Sequence, residues 1–181
     1  MSNRDEDAPE EVMWQGRFIT ARRKGRWEYV GRARGIRAAV ILAVDAEDHV
    51  ILVEQYRVPL ARLSIELPAG LIGDDDGHEG EDATAAARRE LEEETGYRAA
   101  RMEVIGEFWS SPGMVSESFT LLRAQGLAKV GPGGGVAGED ITVHRVPVGK
   151  IAGAIADWRA QGYAIDVRLL AVLGPTLLTG A

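Results

Sequence analysis

The chain has 181 residues, a hydrophobic content of 45% and a formal net charge of −7. This length favours a single domain with a substantial core. The absence of cysteine excludes disulfides, thiolate catalysis and cysteine-ligated zinc, and the overall acidity argues against a long nucleic acid as partner.

Two further features bear on location. No apolar run reaches the roughly 18 residues that a membrane-spanning helix needs, so we expect no membrane partner. The first residues are acidic, unlike the basic start of a signal peptide, and we therefore expect a cytoplasmic protein.

The first third of the chain reads as a tail followed by strands. Residues 1–11 are polar and charged, which predicts a disordered tail. Segments rich in β-branched residues then predict strands at residues 18–21, 26–30, 38–44, 50–56 and 63–68. We expect the first two strands to form a hairpin around Lys24 and Gly25, and the next two to form another around residues 46–48.

The remainder of the chain mixes helices and strands. A helix is predicted over residues 83–94, with Asp82 as its N-cap and Gly96 as its C-terminal stop. Hydrophobic periodicity then predicts strands at residues 101–109, 117–124 and 141–146, and helices at residues 148–158 and 167–173.

The predicted helix at residues 83–94 is unusually acidic. Residues 74–94 contain 10 of the 28 acidic residues and only 2 of the 21 basic ones. Helical spacing places Glu90, Glu93 and Glu94 on one face, where like charges repel by a few tenths of a kcal/mol per pair. A divalent cation would remove that repulsion, and oxygen ligands suit Mg²⁺ or Mn²⁺. From charge alone, a solvated helix face is an equally good interpretation.

The residues around this helix make the pattern specific. In order they are Gly70, Glu81, Arg89-Glu90-Leu91, Glu93-Glu94 and Gly96-Tyr97. Their spacing from Glu81 onward resembles the signature of Nudix hydrolases, a family that cleaves nucleoside diphosphates linked to another moiety. The ten residues between Gly70 and Glu81 are more than the family pattern has, so we interpret residues 73–77 as a loop insertion, which costs little free energy.

The Nudix resemblance implies roles for the acidic residues. It implies Mg²⁺ as cofactor, with Mn²⁺ as a substitute, and Arg89 as a residue that orients the glutamates. The metal ligands it implies are Glu90 and Glu94, the additional acidic positions Glu81 and Glu93, and the main-chain carbonyl of Ala69.

Two other segments resemble the ADP-ribose pyrophosphatases within this family. Pro112-Gly113 follows Gly96 at the spacing of their marker proline, and residues 54–59 resemble a strand end whose arginine, here Arg57, meets the substrate. Alone, these segments are better read as an ordinary turn and a surface arginine. Together, they favour a nucleoside diphosphate sugar as substrate. The substrate-binding residues that follow from the resemblance are Arg57, Glu66, Pro112, Gly113 and Trp27, the last as an aromatic that stacks on adenine or, alternatively, belongs to the core or an interface.

The general base is expected outside the signature. In related pyrophosphatases the base is a glutamate on a mobile loop. Here residues 131–138 are rich in glycine, which would give such a loop the freedom to close over the site. Glu139, directly after that loop, is our candidate base, and Glu93 is the fallback. An acidic residue at the start of a strand is the alternative interpretation of Glu139.

The resemblance also implies an architecture and a substrate class. We expect an α/β protein, with a Nudix-type α/β/α sandwich and mixed sheet over residues 38–181. A small N-terminal β module at residues 12–37 corresponds to the strands through which relatives pair into homodimers. The expected substrate is ADP-ribose or a related nucleoside diphosphate sugar; the alternatives are GDP-mannose, another nucleotide sugar, or a non-catalytic domain that binds nucleotide as a regulator.

Overall fold

The computed structural model of the chain describes residues 5–33, 37–72, 82–136 and 138–179. These ranges form eleven strands and three α-helices. The strands are β1 (Glu10–Gln15), β2 (Ile19–Lys24), β3 (Trp27–Arg32), β4 (Arg37–Ala43), β5 (His49–Arg57), β6 (Arg62–Glu66), β7 (Ala69–Ile72), β8 (Tyr97–Trp109), β9 (Ser118–Lys129), β10 (Thr142–Pro147) and β11 (Ala164–Ile165). The helices are α1 (Ala83–Thr95), α2 (Ile151–Ala160) and α3 (Leu170–Thr179).

The N-terminal strands form a sheet of their own in the order β1-β2-β3. β2 and β3 pair in antiparallel fashion, which confirms the predicted first hairpin, and Gly25 in its turn has the positive φ of 57° that glycine adopts without strain. β1 begins at Glu10, inside the segment predicted as a tail, while residues 1–4 of that segment lie outside the described ranges.

The other strands form two four-stranded mixed sheets, ordered β10-β5-β6-β11 and β7-β4-β9-β8. The pairs β4–β9 and β6–β11 are parallel, and the others are antiparallel. The predicted hairpin of residues 38–44 with residues 50–56 is wrong, because β4 and β5 belong to different sheets and meet only at an isolated bridge between Val44 and Val50. The turn between them carries the chain from one sheet to the other.

The reason for that separation is that β4 is buried on both faces. Ala39 and Ile41 pack in a cluster with Leu91 of α1, whereas Val40 packs in a second cluster with Ile151 of α2. Successive strand residues point to opposite faces, so a strand that is apolar on both faces is buried in a sheet interior rather than at a solvated hairpin edge. α1 and α2 therefore pack against opposite faces of β4. The predicted α/β class is confirmed.

The predicted acidic helix is confirmed as α1, one residue longer than expected at its C-terminal end. Asp82 occupies the N-cap position without a side-chain capping bond. Gly96 ends the helix in the left-handed conformation at φ 68°, and its N–H donates to the carbonyl of Glu92. The predicted loop insertion at residues 73–77 lies outside the described ranges.

In the ranges described, no helix is both long enough and apolar enough to cross a membrane.

Candidate active site

A cleft of about 830 Å³ lies between the two four-stranded sheets and the N-terminal sheet. α1, β7 and the loop after β9 form one wall, and β6 with the segment around β11 forms another. The charged side chains that line it are the carboxylates Glu66, Glu90, Glu93, Glu94, Glu117, Glu139 and Asp166, and the arginines Arg32, Arg57, Arg89 and Arg168. Glu90, Glu93, Glu94 and Glu139 therefore line the same cleft. Glu81 lies outside the described residues.

Glu94 is the most deeply buried carboxylate of α1, with only 5% of its surface exposed. Its Oε2 accepts a hydrogen bond of 3.0 Å from the backbone N–H of Ala69 in β7. Burial raises the pKa of Glu94 to about 8, and the negative charges of Glu90 and Glu139 act in the same direction. Ionising this buried carboxyl group at neutral pH costs free energy. A bound cation would offset that cost by stabilising the ionised form, as is typical of metal ligands.

Glu90 lies next to Glu94 across the surface of β7. A Cβ atom at Gly70 would overlap the Cγ, Cδ and Oε1 atoms of Glu90, so only glycine leaves room for this side chain. Burial raises the pKa of Glu90, and Arg89 opposes that rise. Gly70 was part of the sequence pattern, but its contact with Glu90 could not be read from the spacing.

Arg89 lies between two of the carboxylates. Its Nη1 is 2.9 Å from Oε1 of Glu90 and 3.0 Å from Oε2 of Glu93. Arg89 is thus paired with two of the glutamates that we expect it to orient. Among the residues that the structure describes, which do not include Glu81, no three acidic or histidine side chains converge into a metal-binding cluster. The donor set still fits a hard divalent cation, because three glutamates and the adjacent Glu139 present only oxygen to one cleft.

The glycine-rich loop is fixed to the C-terminal end of α1. The N–H groups of Gly134 and Gly135 donate to the carbonyls of Glu94 and Glu93 at 2.8 and 3.0 Å. Lys129 Nζ donates to the carbonyl of Thr95 at 2.7 Å. These bonds satisfy carbonyl groups that a helix end leaves unpaired. Glycine also permits close packing here, because a Cβ at Gly133 would overlap the main chain of Glu94, Thr95 and Gly96. Whether the loop closes over the cleft stays a prediction.

Glu139 follows this anchored segment and lines the cleft. Its Oε2 accepts a hydrogen bond of 3.1 Å from the backbone N–H of Val136. Its charge raises the pKa of both Glu90 and Glu94, so it lies within electrostatic reach of the glutamates on α1. The side chain is exposed, which leaves it accessible to solvent water.

The opposite side of the cleft carries two arginines that pair with carboxylates. Arg57, at the end of β5, donates from Nε and Nη2 to the two carboxylate oxygens of Glu66, both at 2.7 Å. Arg168 Nη2 donates to Oε2 of the same carboxylate at 3.1 Å. Glu66 is 2% exposed, so its oxygens face the two arginines rather than solvent. Arg57 was expected from the sequence, and Arg168 was missed because nothing near it resembles a motif.

Three residues predicted to bind substrate lie outside the cleft: Trp27, Pro112 and Gly113. None of them is among the described residues that line the cleft. Trp27 begins β3, and the turn of Pro112 and Gly113 leads to a segment that pairs with Val30 of β3. The ends of this connection, Ser110 and Glu117, do reach the cleft. Glu81 lies outside the described residues.

Comparison with known proteins places the fold and the signature in context. A model of the NUDIX domain matches residues 34–161. A solved structure described as "Crystal structure of ADP compounds hydrolase" superposes with a TM-score of 0.68 at 22% sequence identity, covering 96% of this chain and 94% of that one. At this identity the superposition shows a shared fold.

Curated relatives match in sequence as well. The ADP-ribose pyrophosphatase of Bacillus subtilis (strain 168) is 41% identical over 91 residues, which are 50% of this chain and 46% of the relative. The methanol dehydrogenase activator of Bacillus methanolicus is 42% identical over 92 residues, 51% of this chain and 47% of the relative. The matched part thus spans about half the length of these two proteins. The GDP-mannose pyrophosphatase of Cronobacter sakazakii is 32% identical over 155 residues, 81% of this chain and 76% of the relative.

Replacing Gly70 with alanine should displace the Glu90 side chain with little effect on overall stability, because the overlapping atoms belong to a flexible side chain. We expect Mn²⁺ affinity measured by titration calorimetry to fall about 10- to 100-fold. Gly153→Ala, at an exposed site in α2 where a Cβ meets no other atom within 4 Å, is the matched control and should keep wild-type affinity. Unchanged affinity in Gly70→Ala would contradict the assigned position of Glu90.

The raised pKa of Glu94 predicts a pH dependence of stability in the presence of a chelator. Between the ordinary glutamate value of 4.5 and about 8, the folded state binds the proton more tightly than the unfolded state, so stability is greatest at the acidic end and falls as pH rises through this window. Glu94→Gln removes the titration. Thermal unfolding from pH 5 to 9 should therefore show a smaller decline for Glu94→Gln than for the wild type, and parallel curves would contradict the buried position of this carboxyl.

Proposed function

The chain belongs to the NUDIX family, and from that premise we propose that it hydrolyses the diphosphate of ADP-ribose or a related nucleoside diphosphate sugar in the presence of Mg²⁺. The observation that carries this proposal is the division of one cleft into a carboxylate side on α1 and an arginine side at Arg57 and Arg168. A diphosphate bridged to a cation needs both kinds of surface, since arginine recognises phosphate oxygens and carboxylates hold the cation.

The residues that would hold the cation are Glu90 and Glu94, with Glu81, Glu93 and the main-chain carbonyl of Ala69 as further ligands. When bound, Mg²⁺ neutralises charge on the diphosphate oxygens and favours formation of a nucleophile from water. Mn²⁺ has the same preference for oxygen and should substitute for it.

The side chains then have separate tasks in the reaction. Arg57 binds the diphosphate, and Arg89 keeps Glu90 and Glu93 oriented through its two ion pairs. Glu139 takes the proton from the attacking water, and Glu93 is the alternative base. The water oxygen forms a new P–O bond, the bridging P–O bond breaks, and the products are a nucleoside monophosphate and a sugar phosphate.

A second candidate substrate is GDP-mannose. It is favoured by the Cronobacter sakazakii relative, whose match covers 81% of this chain. The polar contacts described for the cleft recognise phosphate and cation, which the two substrates share, so the base and the sugar have to be distinguished by experiment. A purely regulatory nucleotide-binding domain is less well supported, because Glu90, Glu93 and Glu94 all line the cleft.

We also propose a cytoplasmic homodimer in which residues 12–37 form a dimerisation module and residues 38–181 the hydrolase domain. Support comes from large apolar side chains that the N-terminal sheet leaves exposed in one chain: Val12, Met13, Trp14, Ile19 and Trp27. Pairing would cover such a surface. In this arrangement Trp27, together with Pro112 and Gly113, would reach substrate from the partner or from the edge of the interface.

A hydrolysis screen tests the proposed activity. Nucleoside diphosphate sugars, dinucleotides and nucleoside triphosphates are incubated with Mg²⁺, and the free products are separated. We expect ADP-ribose to give AMP and ribose phosphate, and Glu94→Gln to lose roughly a thousandfold in rate, about 4 kcal/mol of barrier. Wild-type turnover in Glu94→Gln would remove this residue from the mechanism, and tight ADP-ribose binding without hydrolysis would favour the regulatory alternative.

Replacing Glu139 with glutamine tests the general base. The amide keeps the size of the side chain and cannot accept the proton, so we expect kcat to fall about 100-fold or more while KM changes little. Asp140→Asn, at the adjacent exposed position, is the matched control. If the two variants turn over equally fast, Glu139 is not the base, and Glu93→Gln becomes the variant to measure.

A further inference from the structure

The side of the cleft opposite α1 contains four charged groups joined in series, which we name the arginine–carboxylate chain: Asp166, Arg168, Glu66 and Arg57. Arg168 donates from Nε and Nη2 to the two oxygens of Asp166, both at 2.7 Å. Its Nη2 also lies 3.1 Å from Glu66, whose two oxygens accept from Arg57 at 2.7 Å. Formally the four charges cancel.

The backbone explains how residues so distant in sequence meet. β11 pairs in parallel with β6, joining Ala164 to Ser64 and Ile165 to Ile65. The N–H of Asp166 donates to the carbonyl of Ile65, one residue before Glu66. The Asp166 carboxylate also accepts from the backbone N–H of Arg168 at 2.7 Å, which caps the following 3₁₀ turn. Arg168 is thereby held beside Glu66 by both main chain and side chain.

The two arginines differ in what remains available to a ligand. The side chain of Arg57 is 39% exposed, and its Nη1 forms no hydrogen bond within the described part of the chain. The side chain of Arg168 is 18% exposed, with Nε and Nη2 both committed to carboxylates, and its Nη1 likewise forms no hydrogen bond within the described part of the chain. Both arginines line the cleft, and the greater exposure of Arg57 makes it the arginine placed to meet a diphosphate.

The burial of Glu66 decides what Arg168 contributes. A carboxylate that is 2% exposed requires cationic partners, because an unpaired buried charge is costly. With two arginines present, Glu66 shares its charge between them. Without Arg168, the full charge of Glu66 would fall on Arg57, which would then be drawn from the diphosphate toward the carboxylate.

We propose that Arg168 is a positioning residue for diphosphate binding, which acts through Glu66 to hold and release the guanidinium of Arg57 rather than by touching the substrate. This inference rests on the proposed function, in that a diphosphate is the ligand of Arg57. It assigns Glu66, expected from the sequence to bind substrate, to the support of the two arginines.

A double-mutant cycle tests the proposal with ADP as the probe, bound in Mg²⁺ buffer and measured by titration calorimetry so that no turnover is required. The variants are Arg57→Met, Arg168→Met and the two combined. We expect each single variant to weaken ADP binding about tenfold, and the double variant to bind no more weakly than Arg57→Met alone, because Arg168 acts only through Arg57. Arg145→Met is the matched control, since Arg145 also pairs with a largely buried carboxylate, Asp45, outside the cleft.

Two outcomes would overturn the proposal. Independent, multiplying losses in the double variant would mean that Arg168 contacts ADP itself. Wild-type affinity in Arg168→Met, with or without a lower unfolding temperature, would leave Arg168 a purely structural role. If Arg168→Met does not fold, Arg168→Lys enters the same cycle, and additivity with Arg57→Met is again the contradicting result.

The same titrations separate this inference from the proposed function. A wild-type chain that does not bind ADP would refute ADP-ribose as the substrate and the positioning role together. Wild-type binding combined with additive variants would refute the positioning role alone and leave the proposed function standing.

Discussion

The contact on which the rest of the cleft depends is the hydrogen bond from the Ala69 N–H in β7 to the carboxylate of Glu94 in α1. It fixes the helix to the strand at the point where a carboxyl group is buried against its own preference, with a pKa raised to about 8. Such a group is destabilising for the fold when ionised, which is consistent with selection for a role in binding rather than for stability. Glu90 and Glu93 come to the same cleft because they share the helix with Glu94.

Around this contact, the chain builds a cleft with a carboxylate-rich side on α1 and an opposite side where two arginines pair with two carboxylates. Glycine at residue 70 makes room for Glu90, and glycines after β9 allow the next loop to pack on the end of α1 and bring Glu139 into the acidic side. On the other side, the arginine–carboxylate chain keeps cationic groups in place without leaving a buried charge unpaired. The two sides suit the two parts of a cation–diphosphate complex, and neither alone would distinguish that ligand from a simple cation or anion.

The sequence predicted what depends on local signals. The bounds of α1 followed from Asp82 and Gly96, and the grouping of its glutamates followed from helical periodicity. The pairing of strands was harder to predict from the sequence. β4 and β5 look like a hairpin from their spacing, yet β4 is buried on both faces and lies between β7 and β9. Arg168 was missed for the same reason, since its contact with Glu66 arises from the short parallel pairing of β6 with β11 and leaves no mark in the residues nearby.

The most direct measurement of the central claim is the position of a bound cation. Crystals grown with Mn²⁺ and ADP, with diffraction data collected at the manganese absorption edge, would locate each ion by its anomalous signal. We expect an ion in contact with the carboxylate oxygens of Glu90 and Glu94, on the side of the cleft that faces Arg57. Ordered ADP in the cleft with no manganese at these two glutamates would contradict the account.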